Sequence, residues 1–202
     1  MLITTNVFFY LSLRLLTCLP ADDFKEGDII FQQSTSSQSL AIQAATHSPY
    51  SHCGLITKRR GVLVVYEAVQ PVKYTPLLDW IARGKGKHYV VRRLKQAERI
   101  LTPSVLQKLR LESSRLYGRD YDLVFGWSDR RIYCSELIWK IYQRATGLEL
   151  GKLQSLKTLD LSAAPVRKKL IERYGNHIPL DEPIITPAAI FGSPLLQTVK
   201  EQ

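Results

Sequence analysis

The stretch RRIYCSELIWKIYQ, residues 130–143, places a cysteine where a polar segment gives way to an apolar, helix-patterned one. Leu137 and Ile141 recur at helical spacing, so the pattern predicts that Cys134 lies in the first turn of a helix ending at Gly147. The free N–H groups of a helix N-terminus stabilise a thiolate and can donate to a developing oxyanion. The position therefore suits a nucleophile. Cysteine is also among the most buried residue types, so a lone cysteine in a helix is more often structural, and this pattern alone does not decide the role.

Length and composition indicate an ordinary globular protein with a basic surface. The chain has 202 residues, of which 45% are hydrophobic and 23% are charged, which suits one domain with a substantial core. Its net charge of +10 favours anionic partners, such as acidic lipid or an anionic polymer of the cell envelope. We find no zinc-finger spacing, RNP-type motif or long basic run, so a nucleic-acid partner is not expected. Three cysteines are too few for a disulfide framework, and at least one must be free.

Residues 1–21 have the composition of an export signal or an N-terminal anchor. Residues 7–16 are mostly apolar, but this run is too short to span a membrane. Cleavage after Ala21 is expected for a secretory signal, whereas Cys18 after Leu-Leu-Thr resembles a lipoprotein attachment box. A buried N-terminal helix is the alternative. We expect a protein of the periplasm or envelope, with residues 22–202 forming one domain.

The rest of the chain alternates short strands with helices. Four segments have the composition of strands: residues 29–31, 50–57, 61–69 and 87–94. The second and third are expected to form a hairpin with a turn at residues 58–61. Helices are predicted to begin at Thr75-Pro76 and Thr102-Pro103, with threonine as the cap and proline at the first position. Together these elements predict an α+β fold, in which a small antiparallel sheet or barrel packs against helices.

A cysteine nucleophile needs a general base, and histidine is the usual one. The chain has four histidines: His47, His52, His88 and His177. His52 lies at the start of a predicted strand and is followed by Gly54, which lets a substrate or another backbone approach closely. His47, in a loop, and His88, at the start of a strand, remain alternatives. For a single histidine a structural role is the commoner one, so a second partner is required.

Glu67 is the candidate partner of His52. It lies in VVYEAV, among apolar residues, where a buried carboxylate without a partner would cost several kcal/mol. If the hairpin turn is centred on residues 59–60, His52 and Glu67 are directly opposite, with their Cβ atoms ~4.5–5.5 Å apart. The carboxylate could then orient the imidazole, as the third member of a catalytic triad does.

Cys53 is the rival nucleophile. Side chains alternate along a strand, so Cys53 is expected to face away from the site if His52 faces it. We therefore interpret Cys53 as a core residue and Cys18 as part of the leader.

The order of histidine, glutamate on the next strand and cysteine at a helix start resembles the circularly permuted papain-like arrangement of the NlpC/P60 superfamily. The branch concerned includes the YaeF/YiiX and lecithin:retinol acyltransferase-like proteins. The resemblance rests on GDIIFQ, SSQSLAIQAATHSPYSHCGLI, YEAVQPVKYTPLLDWI and LYGRDYDLVFGWSDRRIYCSELIWKIYQ, and it extends over residues 27–180. It implies a permuted papain-like fold with Cys134 as nucleophile, His52 as general base and Glu67 as the third member. It also places Tyr121 near the oxyanion site, although a packing role for this aromatic ring is equally compatible with the sequence.

The implied activity is that of a thiol hydrolase acting on an amide, ester or thioester, with acyl transfer as a variant. The resemblance leaves two substrate classes open, cell-wall peptides and lipid acyl groups. No cofactor or metal is expected, because His52 and Glu67 have no third ligand at zinc-binding spacing. Two other classes of function remain: a catalytically silent protein that binds lipid or peptide on the same scaffold, and a basic envelope protein with structural cysteines.

Overall fold

The computed structural model describes residues 24–202, and a six-stranded antiparallel sheet forms its centre. Its strands are β1 (Ile29–Gln32), β2 (His52–Arg59), β3 (Val62–Glu67), β4 (Lys73–Pro76), β5 (Val90–Leu94) and β10 (Leu196–Glu201). They lie in the order β10-β5-β1-β2-β3-β4, and each neighbouring pair is antiparallel. The predicted export segment, residues 1–21 with Cys18, lies outside the described residues.

Seven α-helices and two small strand pairs surround this sheet within residues 24–202. The helices are α1 (Ser37–Thr46), α2 (Leu77–Ala82), α3 (Ala97–Ile100), α4 (Pro103–Leu116), α5 (Cys134–Thr146), α6 (Ala164–Tyr174) and α7 (Pro187–Phe191). The parallel pair is β6 (Asp120–Tyr121) with β7 (Arg131–Ile132), and the antiparallel pair is β8 (Gln154–Ser155) with β9 (Pro183–Ile184). None of the helices described is long and apolar enough to cross a bilayer.

The two faces of the sheet bury different sets of side chains, because successive residues of a strand point to opposite sides. Ile29 and Leu55 pack on one face with Leu137 of α5, in the larger core cluster. Ile30 packs on the other face with Trp80 of α2. A third apolar cluster lies between α1 and α6. The predicted combination of an antiparallel sheet with packed helices is thus observed.

Of the two predicted threonine-capped helices, one begins as expected and one does not. Thr102 caps α4 by accepting a hydrogen bond from the N–H of Val105. The predicted start of a helix at Thr75-Pro76 is wrong, because both residues belong to strand β4 and α2 begins at Leu77. The Thr75 hydroxyl is engaged elsewhere, as it donates a hydrogen bond to Glu67.

Strands β2 and β3 form the predicted hairpin, but its turn lies one residue later than assumed. Arg60 and Gly61 make the turn, with φ angles of 51° and 81°. Two-residue hairpin turns of the primed type require such positive φ angles, because they match the twist of the flanking strands.

The register of this hairpin differs from the prediction by two residues. Leu55 lies opposite Tyr66, and continuing this register places Gly54, not His52, opposite Glu67. The expected directly opposed pair of His52 and Glu67 is therefore wrong. A displacement of one residue would have turned the two side chains to different faces, whereas a displacement of two leaves them on the same face.

Candidate active site

Cys134 is the first residue of α5, as the sequence pattern predicts. The N–H of Tyr133, the residue before the helix, donates to the carboxylate of Glu136 at 3.4 Å and so fixes the start of α5. Gly147 ends the helix in the left-handed conformation, with φ 76°. Only 2% of Cys134 is exposed. The sulfur-bearing residue thus lies at a well-defined helix N-terminus, inside the protein.

His52 and Glu67 meet diagonally across the hairpin. His52 Nε2 lies 2.7 Å from Glu67 Oε2, and the imidazole stacks on Trp80 with a centroid distance of 5.8 Å. Gly54 lies opposite Glu67. A Cβ atom at Gly54 would lie 2.3 Å from Val65 Cγ1, so a side chain there would displace Val65, the neighbour of Tyr66 and Glu67 in β3.

The carboxylate of Glu67 is completely buried but has four donors around it. Besides His52, these are Thr75 Oγ1 at 2.5 Å, Trp80 Nε1 at 2.9 Å and Arg83 Nη2 at 2.5 Å. Burial alone would raise the pKa of Glu67, but the hydrogen bond and charge of His52, with Thr75 and Arg83, lower it to about 2. Glu67 is therefore a carboxylate at neutral pH.

The electrostatics favour a thiolate and an imidazolium. Burial lowers the pKa of His52, but hydrogen bonding to Cys134 and Glu67 and their charges raise it to about 9. Hydrogen bonding from Cys53 lowers the pKa of Cys134 well below its ordinary value, burial opposes this, and His52 lowers it further. Because Nε2 of His52 is bonded to Glu67, Nδ1 is the ring nitrogen left for the sulfur. These shifts favour a proton on the ring and a thiolate at Cys134, the form in which a cysteine is nucleophilic.

Cys53 lies on the same side of the sheet as Cys134. The expectation that it faces away from the site is wrong: it belongs to the same buried cluster as Cys134, and the two thiols interact. Alternation along β2 nevertheless holds, because Cys53 packs with Leu55 in the cluster that contains Cys134, whereas the His52 ring stacks on Trp80 of the cluster on the other face. The wrong premise was that the thiol of Cys134 lies on the same face as His52. Both cysteines are free thiols, and Cys53 is buried as expected.

Tyr121 lies in β6 and lines the same space as Cys134. Its Oη accepts a hydrogen bond of 2.9 Å from Nε2 of Gln38. Burial and the charge of Cys134 raise the pKa of Tyr121, so the phenol keeps its proton. Gln38 was not predicted from the sequence, because a glutamine near a helix start carries no signal until the fold brings α1 and β6 together.

An apolar channel runs from Cys134 between α1 and α6. Its empty space, open to solvent at the mouth, is about 700 Å³. Most of its wall is aliphatic: Ala41, Ile42, Ala45, Leu156, Val166, Leu170 and Ile184. Lys169 and Arg173 are the charged residues that line it.

A polar cleft adjoins the channel on the histidine side. Its empty space is about 1050 Å³, and its lining includes His52, Arg83 and several hydroxyl side chains. Gln38, Ile42 and Tyr121 line both the cleft and the channel. The two compartments therefore meet next to the thiol and the imidazole.

The alternative histidines do not take part in this arrangement. His47 ends α1 and pairs with Asp160, with Nε2 3.2 Å from Oδ2, and His88 lies 3.9 Å from Glu201. Neither residue lines the apolar channel or the polar cleft.

Comparison with known families shows where the fold belongs. Residues 23–200 match the family described as "Permuted papain-like amidase enzyme, YaeF/YiiX, C92 family". The chain belongs to the permuted papain-like amidases. This membership confirms the predicted permuted papain-like fold and the resemblance on which it was based. It also supports the general class of activity, that of a cysteine hydrolase.

Two relatives of this permuted amidase come from Escherichia coli. The "Uncharacterized protein YiiX" of strain K12 is 50% identical over 194 residues, which cover 95% of each chain. A crystal structure described as that of the metalloprotein yiiX from strain O157:H7 superposes with a TM-score of 0.84 at 51% identity, covering 88% of this chain and 97% of the other. Residues 24–202 here contain no group of three or more His, Cys, Asp or Glu side chains arranged to hold a metal ion.

Proposed function

We propose that the chain hydrolyses amides or esters in which a long apolar acyl group is joined to a polar leaving group. In this proposal Cys134 is the nucleophile, His52 the general base and Glu67 the residue that orients the imidazole. One observation carries the choice of substrate: the nucleophile lines an apolar channel, whereas the histidine lines a polar cleft. A cell-wall peptide, with polar groups on both sides of the scissile bond, matches this division less well.

The reaction follows from the protonation states of the site. The Cys134 thiolate attacks the acyl carbonyl, and the carbonyl oxygen becomes an oxyanion near the N–H groups at the start of α5 and the Tyr121 hydroxyl. The intermediate collapses, the C–N or C–O bond breaks, and the His52 imidazolium gives its proton to the leaving group. His52 then takes a proton from a water molecule, whose oxygen attacks the thioester carbon. The C–S bond breaks, the carboxylic acid leaves, and Cys134 returns to the thiolate beside the His52 imidazolium. Glu67 stays ionised throughout and stabilises the imidazolium.

The orientation of the substrate follows from the same division. The acyl carbon must reach the sulfur, so the acyl chain lies in the apolar channel. The leaving group must reach the proton on His52, so it lies in the polar cleft. Burial of each methylene group contributes up to about 0.8 kcal/mol, and kcat/KM should rise by up to about 4-fold per methylene until the channel is full.

Hydrolysis of p-nitrophenyl acetate, hexanoate and decanoate, together with decanoyl 4-nitroanilide, tests the proposal. The wild-type protein is expected to hydrolyse the decanoyl compounds best, and Cys134→Ala is expected to be inactive. Activity that persists in Cys134→Ala but disappears in Cys53→Ala would show that Cys53, not Cys134, is the nucleophile. Tight binding of decanoate without turnover, with Cys134 unreactive towards iodoacetamide, would support the silent binding protein instead.

A narrowed channel tests the position of the acyl chain. Ala45 lies in the channel wall on α1, so Ala45→Phe is expected to reduce activity on the decanoate at least 10-fold while sparing the acetate. Leu40→Phe is the matched control, because Leu40 belongs to the same helix, is 60% exposed and does not line the channel. Equal losses on both esters in Ala45→Phe would contradict the proposed position of the acyl chain.

Export of the protein is a separate proposal, supported by the apolar segment of residues 7–16 and the net charge of +10. Fractionation of cells that express a C-terminally tagged chain tests it. The envelope fraction should contain the protein, and a purely cytoplasmic distribution would contradict this.

A further inference from the structure

Gln38 has a defined place in the site, although it forms no hydrogen bond with the thiol of Cys134 or the imidazole of His52. It lies in the first turn of α1, whose start is fixed by Ser36, which accepts a hydrogen bond from the N–H of Ser39. Its side chain lines both the apolar channel and the polar cleft. From there its amide group donates to Tyr121 Oη at 2.9 Å.

The direction of this hydrogen bond determines where the tyrosine proton points. A phenol has one proton to donate, and its oxygen also accepts hydrogen bonds. Because the amide N–H of Gln38 occupies an acceptor position of Tyr121 Oη, the O–H bond of Tyr121 must point to a different partner. Tyr121 lines the channel together with Cys134, so the reaction space is a direction open to that proton.

We propose that Gln38 is a positioning residue that holds Tyr121 as a hydrogen-bond donor to the oxyanion formed when Cys134 attacks the substrate. This inference rests on the proposed hydrolase function, and it goes further by assigning the orientation of the tyrosine to a residue on a different element. Gln38 acts through Tyr121 and has no role in transferring the proton or bonding to the acyl carbon.

Gln38→Glu tests the direction of the bond, because glutamate has the shape of glutamine but only accepts hydrogen bonds at neutral pH. The Tyr121 proton would then turn towards Glu and away from the oxyanion. We expect kcat on p-nitrophenyl decanoate to fall about 100-fold, which is typical of the loss of one oxyanion donor, with KM changed less than about 3-fold. Gln38→Met removes the bond but leaves the tyrosine proton free, so its loss of kcat should be smaller, at about 10-fold or less.

Leu40→Glu is the matched control, because it adds the same charge to the same helix at a residue that is 60% exposed and lines neither compartment. It should keep kcat within about 2-fold. Thermal melts of all variants check folding, and Gln38→Met covers the case in which Gln38→Glu does not fold. In a Tyr121→Phe background, Gln38→Glu should cause no further loss of kcat, because the proton that it redirects is already gone.

Three results would overturn the inference. If Gln38→Glu keeps the full kcat, the amide accepts from Tyr121 instead of donating to it. If its loss persists in Tyr121→Phe, the added charge acts directly and not through the tyrosine. If the wild type does not hydrolyse the decanoate at all, the proposed function fails and this inference fails with it. Wild-type turnover combined with an unaffected Gln38→Glu would overturn the inference alone.

Discussion

Two glutamates of this protein, Glu67 and Glu136, are equally buried, with no exposed surface, yet their ionisation differs. The pKa of Glu67 is lowered to about 2, whereas that of Glu136 is raised to about 7. Glu67 ends strand β3 and contacts His52, and Glu136 lies in the first turn of α5, two residues after Cys134. Burial is the same, so the difference must come from the groups around each carboxylate.

The surroundings of Glu136 offer less stabilisation than those of Glu67. Burial raises the pKa of Glu136, and Lys140, whose Nζ lies 2.7 Å from Oε1, lowers it only in part. Lys140 also bonds to Asp129, at 3.0 Å, so its charge is shared. The second contact of Glu136 is the N–H of Tyr133, at 3.4 Å. Glu67, by contrast, has four donors within 2.9 Å.

The comparison indicates how the two carboxylates differ in use. A carboxylate with enough donors keeps its charge at any physiological pH and can hold a cationic imidazole beside it. A carboxylate with fewer donors can take up a proton near neutral pH and still fix a helix start, since its hydrogen-bonding role there does not depend on full ionisation. The difference supports the proposed role of Glu67 beside the imidazole, whereas Glu136 fixes the start of α5.

Replacement of Glu67 should have the largest effect. In Glu67→Gln the imidazolium loses its counter-charge, and kcat/KM for p-nitrophenyl decanoate should fall on the order of 10²–10⁴-fold. The wild type should lose activity as pH rises through about 9, where His52 loses its proton, and this limb should move to lower pH in the variant. Glu136→Gln is the matched control, expected within about 3-fold of wild type; similar losses in both would remove the distinction between the two glutamates.

Removal of one donor to Glu67 should have an intermediate effect. Trp80→Phe keeps an aromatic ring under His52 but deletes the indole N–H bonded to the carboxylate. We expect about a 10-fold loss of kcat/KM and a loss of about 1.5–3 kcal/mol in the free energy of unfolding, measured with urea at pH 7. The lowered pKa of Glu67 stabilises the fold above about 4.5, and this stabilisation is lost as pH falls through about 2. Trp80→Phe should lose this stabilisation at a higher pH than the wild type. The same acid dependence of the unfolding free energy in both proteins would contradict the role of the indole N–H.

Replacement of Glu136 should affect only the pH dependence of stability. Because its pKa rises from 4.5 to about 7 on folding, the folded state binds the proton more tightly, and stability falls as pH rises between these values. Relative to Glu136→Gln, the wild type should lose about 1–3 kcal/mol of unfolding free energy between pH 4.5 and pH 8. Urea titrations at the two pH values measure this, and parallel behaviour of the two proteins would show that Glu136 is ionised throughout.

The sequence predicts the elements of the site better than their contacts. The apolar spacing after Cys134 and the glycine at 147 define α5, because a helix start and stop are local properties. Glu67 is also recognisable from local sequence, because a carboxylate within an apolar strand needs a hydrogen-bonding partner. The hairpin register was wrong because Arg60, in the turn, has a positive φ angle that its residue type does not signal.

The remaining features of the site come from long-range packing. Cys53 was placed on the wrong side because Cys134 was assumed to lie on the face of His52, whereas α5 packs on the face of Cys53 and Leu55. Trp80 and Arg83 reach Glu67 from α2 and its C-terminal end, and Gln38 reaches Tyr121 from α1. No local pattern marks these three residues, since each gains its role only when separate elements meet.

The central claim, that Cys134 and His52 form a thiolate–imidazolium pair, is tested most directly by the pH dependence of Cys134 alkylation. Iodoacetamide labelling, followed residue by residue with mass spectrometry, reports the thiolate fraction of each cysteine. The account predicts rapid labelling of Cys134 at pH 6, well below the ordinary thiol pKa of about 8.5, with Cys53 unlabelled and with slower Cys134 labelling at that pH in His52→Ala. Labelling of Cys134 that begins only near pH 8.5 and is unchanged in His52→Ala would contradict it.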